Sequence, residues 1–115
     1  MYNISGGELL SVKNQDKYIE FSKKLKVLCE PKRLQIIDLL SCRELCACEI
    51  LEYFHISQPT LSSHMKKLEE TDFVKSRRDG KNIYYKLEED SFKKIKNFID
   101  EISRNTEDCI CKIDE

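Results

Sequence analysis

Between Thr71 and Glu88 the apolar residues stop recurring at helical spacing, and this one interruption constrains the chain most. Val74 to Arg78 and Lys81 to Leu87 flank Asp79-Gly80, a pair suited to a tight type I′ turn, and Ile83, Tyr84 and Tyr85 favour strands. The segment predicts a single β-hairpin late in a helical sequence.

Around it the period is that of amphipathic helices. Phe21, Leu25 and Leu28 lie at i, i+4, i+7 in a first helix that begins near Asp16. Pro31 ends that helix and opens a second, whose buried stripe is expected to be Leu34, Ile37 and Leu40, with Ile36 beside them. A third helix is expected from about Glu44 to Phe54. His55-Ile56 is a turn, and Ser57 is a good N-cap for a fourth helix with Pro59 just inside it. Leu61, Met65 and Leu68 form its apolar stripe. A last helix spans roughly Glu88 to Arg104, with Phe92, Ile95, Ile99 and Ile102 on one face. The fold expected is mainly α with a small β-hairpin (α+β): five helices in a winged helix-turn-helix. Residues 1–15 read as a mobile N-terminal arm, 16–104 as the winged helix-turn-helix domain, and 105–115 as an acidic, cysteine-containing tail.

At 115 residues, 40% hydrophobic and 36% charged, the chain is one globular domain. It has neither an eighteen-residue apolar run nor a signal peptide, so a cytoplasmic protein without a membrane partner is expected. The net charge of −1 conceals an uneven distribution. Residues 57–87 hold seven basic and four acidic side chains, whereas 88–115 hold five basic and nine acidic. A phosphate backbone responds to that local basic field.

Six cysteines in so short a chain, without an export signal, point to metal binding or redox chemistry in a reducing compartment. Four form two Cys-x-Cys pairs, Cys46/Cys48 and Cys109/Cys111. Cys46 and Cys48 fall where the start of the third helix favours thiolates. Residues two apart on an ideal helix point about 200° apart, so both sulfurs reach one ion only if the helix start is bent or unwound. Cys29 is expected to be a small buried filler. Cys42 sits near the pair but has no supporting spacing.

Short polar and cationic side chains on the fourth helix suit a major groove. Gln58, Thr60, Ser63 and Lys67 are the candidates nearest DNA, with Ser57 and Lys66 toward phosphates. His64 flanks the apolar stripe, as a packing or DNA-facing residue. Arg77, Arg78 and Lys81 surround the hairpin tip, where they can meet a backbone or minor groove. Each face alone could be ordinary solvated surface; their succession favours double-stranded DNA as the partner. With no Cys-x-x-Cys and no phosphate loop, an enzyme has little support.

Four stretches together resemble the ArsR/SmtB repressors: Leu25 to Leu34, Glu44-Leu45-Cys46-Ala47-Cys48-Glu49-Ile50-Leu51, Ser57 to Leu68, and Asp79-Gly80-Lys81-Asn82-Ile83-Tyr84-Tyr85. The resemblance covers roughly residues 18–100. It implies a homodimer joined through its first and last helices, bound to operator DNA in the apo form and released by metal. Cys46 and Cys48 then become inducer ligands, as in the arsenite/antimonite-sensing branch, with no organic cofactor. The chain departs from that branch at Leu51, where a third cysteine stands in the arsenite pattern; Cys109 or Cys111 is the expected substitute. The cadmium/lead pattern adds cysteines in an N-terminal arm, and none precedes Cys29 here. Residues 88–104 contain no histidine, which excludes the family's zinc-type site on the last helix. Soft thiolates favour soft ions, with three sulfurs for trivalent arsenic and four for cadmium or zinc. Arsenite or antimonite is the expected inducer; a repressor responsive to cadmium, lead or zinc, and a thiol-redox-responsive repressor, are the alternatives.

Overall fold

The computed structural model describes residues 5–104, with side chains from residue 15 onward. In chain order the elements are α1 (Ser5–Leu28), α2 (Pro31–Leu40), β1 (Leu45–Cys46), α3 (Ala47–Tyr53), α4 (Gln58–Glu70), β2 (Val74–Asp79), β3 (Asn82–Leu87) and α5 (Glu89–Ser103). Among the described residues, five helices accompany a three-stranded antiparallel sheet of order β1-β3-β2, the winged helix-turn-helix expected.

Two starts differ from the sequence reading. Helix α1 begins at Ser5, not near Asp16, and α3 begins at Ala47 because Leu45-Cys46 joins the sheet as a third strand. β2 and β3 pair from Val74↔Leu87 to Asp79↔Asn82, leaving Gly80 and Lys81 as the loop. Gly80 has φ +63° and Lys81 is not in the left-handed region, the pattern of a type II′ rather than a type I′ turn.

The core lies where α2, α3 and α4 meet the sheet: Ile36, Ile50, Leu61, Met65, Leu68 and Phe73 are all essentially inaccessible. The predicted stripe of α4 is therefore entirely buried. Helix α4 is also fixed at both ends. The Ser57 side chain caps its start. At its end the Phe73 N–H reaches the Leu68 carbonyl (2.9 Å) and the Asp72 N–H that of Glu69 (3.0 Å), with Asp72 left-handed at φ 62°. That is the Schellman arrangement.

On the opposite side α1 lies against α5, with Phe21 stacked on Phe98 at 4.3 Å and Lys17 bonded to Glu101 at 2.7 Å. Other expectations are corrected here. Leu34 is 51% exposed, because Ile36 and Leu40 turn the buried face of α2 inward. Ile99 and Ile102 stand exposed beyond buried Ile95 and Phe98, and Tyr18 and Ile19 are exposed on α1. Cys29 is exposed rather than buried, since α1 ends at Leu28 and leaves it in the connection to α2. Among the described residues no helix is long and apolar enough to cross a membrane.

Candidate nucleic-acid interface and thiol site

Cys46 is the N-cap of α3. Its backbone is extended (φ −81°, ψ 160°), its sulfur accepts the Glu49 N–H at 3.3 Å, and the Glu49 carboxylate accepts the Cys46 N–H at 3.0 Å. This is a capping box with sulfur in place of the usual hydroxyl. The bond from the Cys46 backbone holds the Glu49 carboxyl below its ordinary pKa, helped by Arg43 at 3.3 Å. An extended residue at the cap also removes the angular conflict between residues two apart on a helix. The Cys46 and Cys48 sulfurs meet and are joined as a disulfide, with their Cα atoms 5.4 Å apart. Cys46 is buried and Cys48 is exposed, so the pair opens to solvent on one side.

Cys29 and Cys42 are exposed free thiols. Cys109 and Cys111 lie outside the described residues. Among the described residues no group of three or more His, Cys, Asp or Glu side chains is arranged to hold a metal ion. Once the disulfide is reduced, two thiolates this close in the fold suit a soft ion, with at least one further donor beyond the pair.

The thiol site is tied directly to the wing. Leu45 pairs with Tyr85 and Cys46 with Tyr84. Just before them, Glu44 accepts two bonds from Arg77, from Nε at 3.0 Å and Nη2 at 2.7 Å. Arg77 faces Tyr84 in the β2–β3 ladder and stacks 4.6 Å over its ring. The Arg77 hydrogen bond depresses the Glu44 carboxyl, and the same bond raises Arg77. Arg77 is thus bonded within the fold, while Arg78 and Lys81 project exposed from the wing tip.

On α4, Gln58, Thr60, Ser63, Lys66 and Lys67 are exposed, Gln58 in the first turn and the other four on the side away from the buried stripe. Ser57 is exposed as well, its hydroxyl accepting the Thr60 N–H at 3.2 Å and donating to the Thr60 hydroxyl at 2.9 Å. His64 is half-buried at the margin of this face, with its Nδ1 3.2 Å from Arg33 Nη1. Burial, then the Arg33 charge, push the His64 pKa down. Sequence reasoning did not single out Arg33, Glu44 or Glu49. The first two act across more than thirty residues of chain, which no local pattern signals. The Glu49 role required treating a cysteine as a cap.

The family described as bacterial regulatory protein, arsR family, matches residues 30–76. Over 95 residues the chain is 47% identical to the arsenical resistance operon repressor of Staphylococcus xylosus, covering 83% of this chain and 91% of that protein. The protein of the same name from Staphylococcus aureus is 45% identical, with the same coverage. The chain belongs to the ArsR family. A solved structure described as a possible transcriptional regulator for arsenical resistance matches this ArsR protein at TM-score 0.66 and 26% identity, over 72% of this chain and 86% of that one. Family and fold make this ArsR protein a DNA-binding transcriptional regulator and not an enzyme.

Proposed function

We propose that this ArsR-family protein represses transcription by binding operator DNA as a homodimer, and leaves it when arsenite or antimonite takes the Cys46 and Cys48 thiolates. One observation carries the reading: the sulfur that caps α3 lies against a second sulfur and belongs to a strand paired with the wing. The names of the staphylococcal relatives support arsenite as inducer. DNA lies along Ser57, Gln58, Thr60, Ser63, His64, Lys66 and Lys67 of α4, with Arg78 and Lys81 of the wing on the backbone. Arg77 serves there by holding the wing to Glu44. The exposed apolar side chains of α1 and α5 (Tyr18, Ile19, Ile99 and Ile102) are the surface a second copy covers.

Bound arsenite would supply a trivalent centre that takes sulfur ligands, each As–S bond replacing one As–OH bond while the thiol proton leaves with that hydroxyl as water. Cys46 and Cys48 are two of these ligands, and Cys109 or Cys111 from the 105–115 tail is the third. The Cys46 sulfur accepts the Glu49 N–H while it is joined to Cys48; the proposal is that drawing a third sulfur onto the same centre turns Cys46 away from that N–H. Loosening that cap disturbs β1, and through Leu45↔Tyr85, Cys46↔Tyr84 and Glu44–Arg77 the disturbance reaches the wing. Moving a population from 1:99 to 99:1 requires about 5.5 kcal/mol of differential binding. Bonds to two or three thiolates supply that if the DNA-bound shape cannot close the site.

The test is arsenite titration of the reduced, anaerobic protein on operator DNA, with protected thiols counted at each point. Release with three thiols protected per subunit, including Cys46 and Cys48, is the expected result. Four thiols protected by cadmium, with weak protection by arsenite, would move the assignment to cadmium or lead. The joined sulfurs favour one second reading, release by oxidation. There two thiols give two electrons and two protons to an oxidant such as a hydroperoxide and become a disulfide. Release by peroxide in metal-free buffer, without release by arsenite, would establish it.

A further inference from the structure

Arg33 makes two contacts that join separate parts of the fold. Its Nε donates to the Val27 carbonyl at 2.5 Å, and its Nη1 lies 3.2 Å from Nδ1 of His64. Val27 is in the last turn of α1, where carbonyls lack intrahelical partners and the helix dipole favours a cation. The guanidinium is thereby anchored, and its position on His64 is not incidental.

A guanidinium only donates hydrogen bonds. Nδ1 of His64 must therefore accept, and a ring that accepts at Nδ1 carries its single hydrogen on Nε2. A protonated ring would set donor against donor beside Arg33, with Lys32 and Lys67 also bearing on it and only Glu30 opposing them. Burial and Arg33 both press the ring toward the neutral form. His64 lies on α4 four residues after Thr60 and three before Lys67, so these side chains share one edge of the exposed face.

We propose that Arg33 is a positioning residue for DNA recognition: it fixes His64 as the neutral Nε2–H tautomer, so that α4 offers an uncharged donor to an acceptor atom on DNA. This rests on the reading that α4 faces DNA. The acceptor is a phosphate oxygen or a base-edge acceptor such as guanine N7. The two sources separate experimentally, because a phosphate contact weakens all sequences equally whereas a base contact weakens the operator alone.

The first measurement is the 15N spectrum of His64 in the free, reduced protein. The neutral Nε2–H tautomer is expected at pH 7, and in Arg33→Gln a ring that titrates at higher pH with mixed tautomers. A charged ring or the Nδ1–H tautomer in the wild type would overturn the inference. The second is binding to operator and to unrelated duplex DNA. His64→Ala should lose about tenfold in operator affinity, one net hydrogen bond. His64→Gln, whose amide can donate from near the Nε2 position, should recover most of that loss. Lys67→Ala reports independently on whether α4 lies on DNA. If Lys67→Ala weakens binding while His64→Ala does not, this inference alone fails; if neither weakens binding, the reading of α4 fails with it.

Discussion

Helices α3 and α4 begin with the same construction made from different atoms. At α4 the Ser57 hydroxyl accepts the Thr60 N–H at 3.2 Å; at α3 the Cys46 sulfur accepts the Glu49 N–H at 3.3 Å, and the Glu49 carboxylate returns a bond to the cap. Serine is among the residues preferred at that position and cysteine is not. A thiol where a hydroxyl caps better gains nothing in local stability, and what distinguishes it is affinity for soft ions and oxidants. The second sulfur beside it gives that affinity a use. On the proposed mechanism the Ser57 cap only builds α4, whereas the Cys46 cap can be taken away.

The largest effect should come from making the two caps alike. Cys46→Ser should keep the fold, cap α3 at least as well, and still bind operator DNA, while losing release by arsenite altogether; thermal melts and DNA-release titrations check this. A Cys46→Ser protein that remains fully inducible would remove Cys46 from the ligand set. Weakening the other cap should act on stability and not on sensing. Ser57→Ala should cost about 1 kcal/mol by chemical denaturation and lower DNA affinity, with the response to arsenite intact. The smallest effect is in pH. The Glu49 carboxyl is depressed in the folded state, chiefly by the Cys46 backbone bond. Its contribution is therefore present above the ordinary glutamate value of 4.5 and lost as pH falls through the lower folded value. The α4 cap has Thr60 at the matching position and no such acid dependence. Acid titration should loosen α3 before α4, and Glu49→Gln should abolish the difference.

How much of this was legible in the sequence follows from how local each feature is. The α4 stripe of Leu61, Met65 and Leu68, the Ser57 cap and the hairpin around Gly80 are written in neighbouring residues, and the structure has them. β1 is two residues long and exists through pairing with Tyr84 and Tyr85, far along the chain. Helical propensity alone therefore placed Cys46 inside α3. Leu34, Ile99 and Ile102 show a second limit: periodicity tells which face is apolar and not what lies against it. The cysteine pair was legible as chemistry from its spacing. Its geometry was not, because it depends on the backbone turning from strand to helix between the two sulfurs.

The most direct test is amide hydrogen exchange of the reduced protein with and without arsenite, read at Glu49 and at Thr60 together. Faster exchange is expected at Glu49 on arsenite binding, because its acceptor sulfur is drawn away, with no change at Thr60. Equal protection at Glu49 in both states, in a protein that arsenite nevertheless releases from DNA, would contradict the claim that one sulfur serves as both cap and ligand.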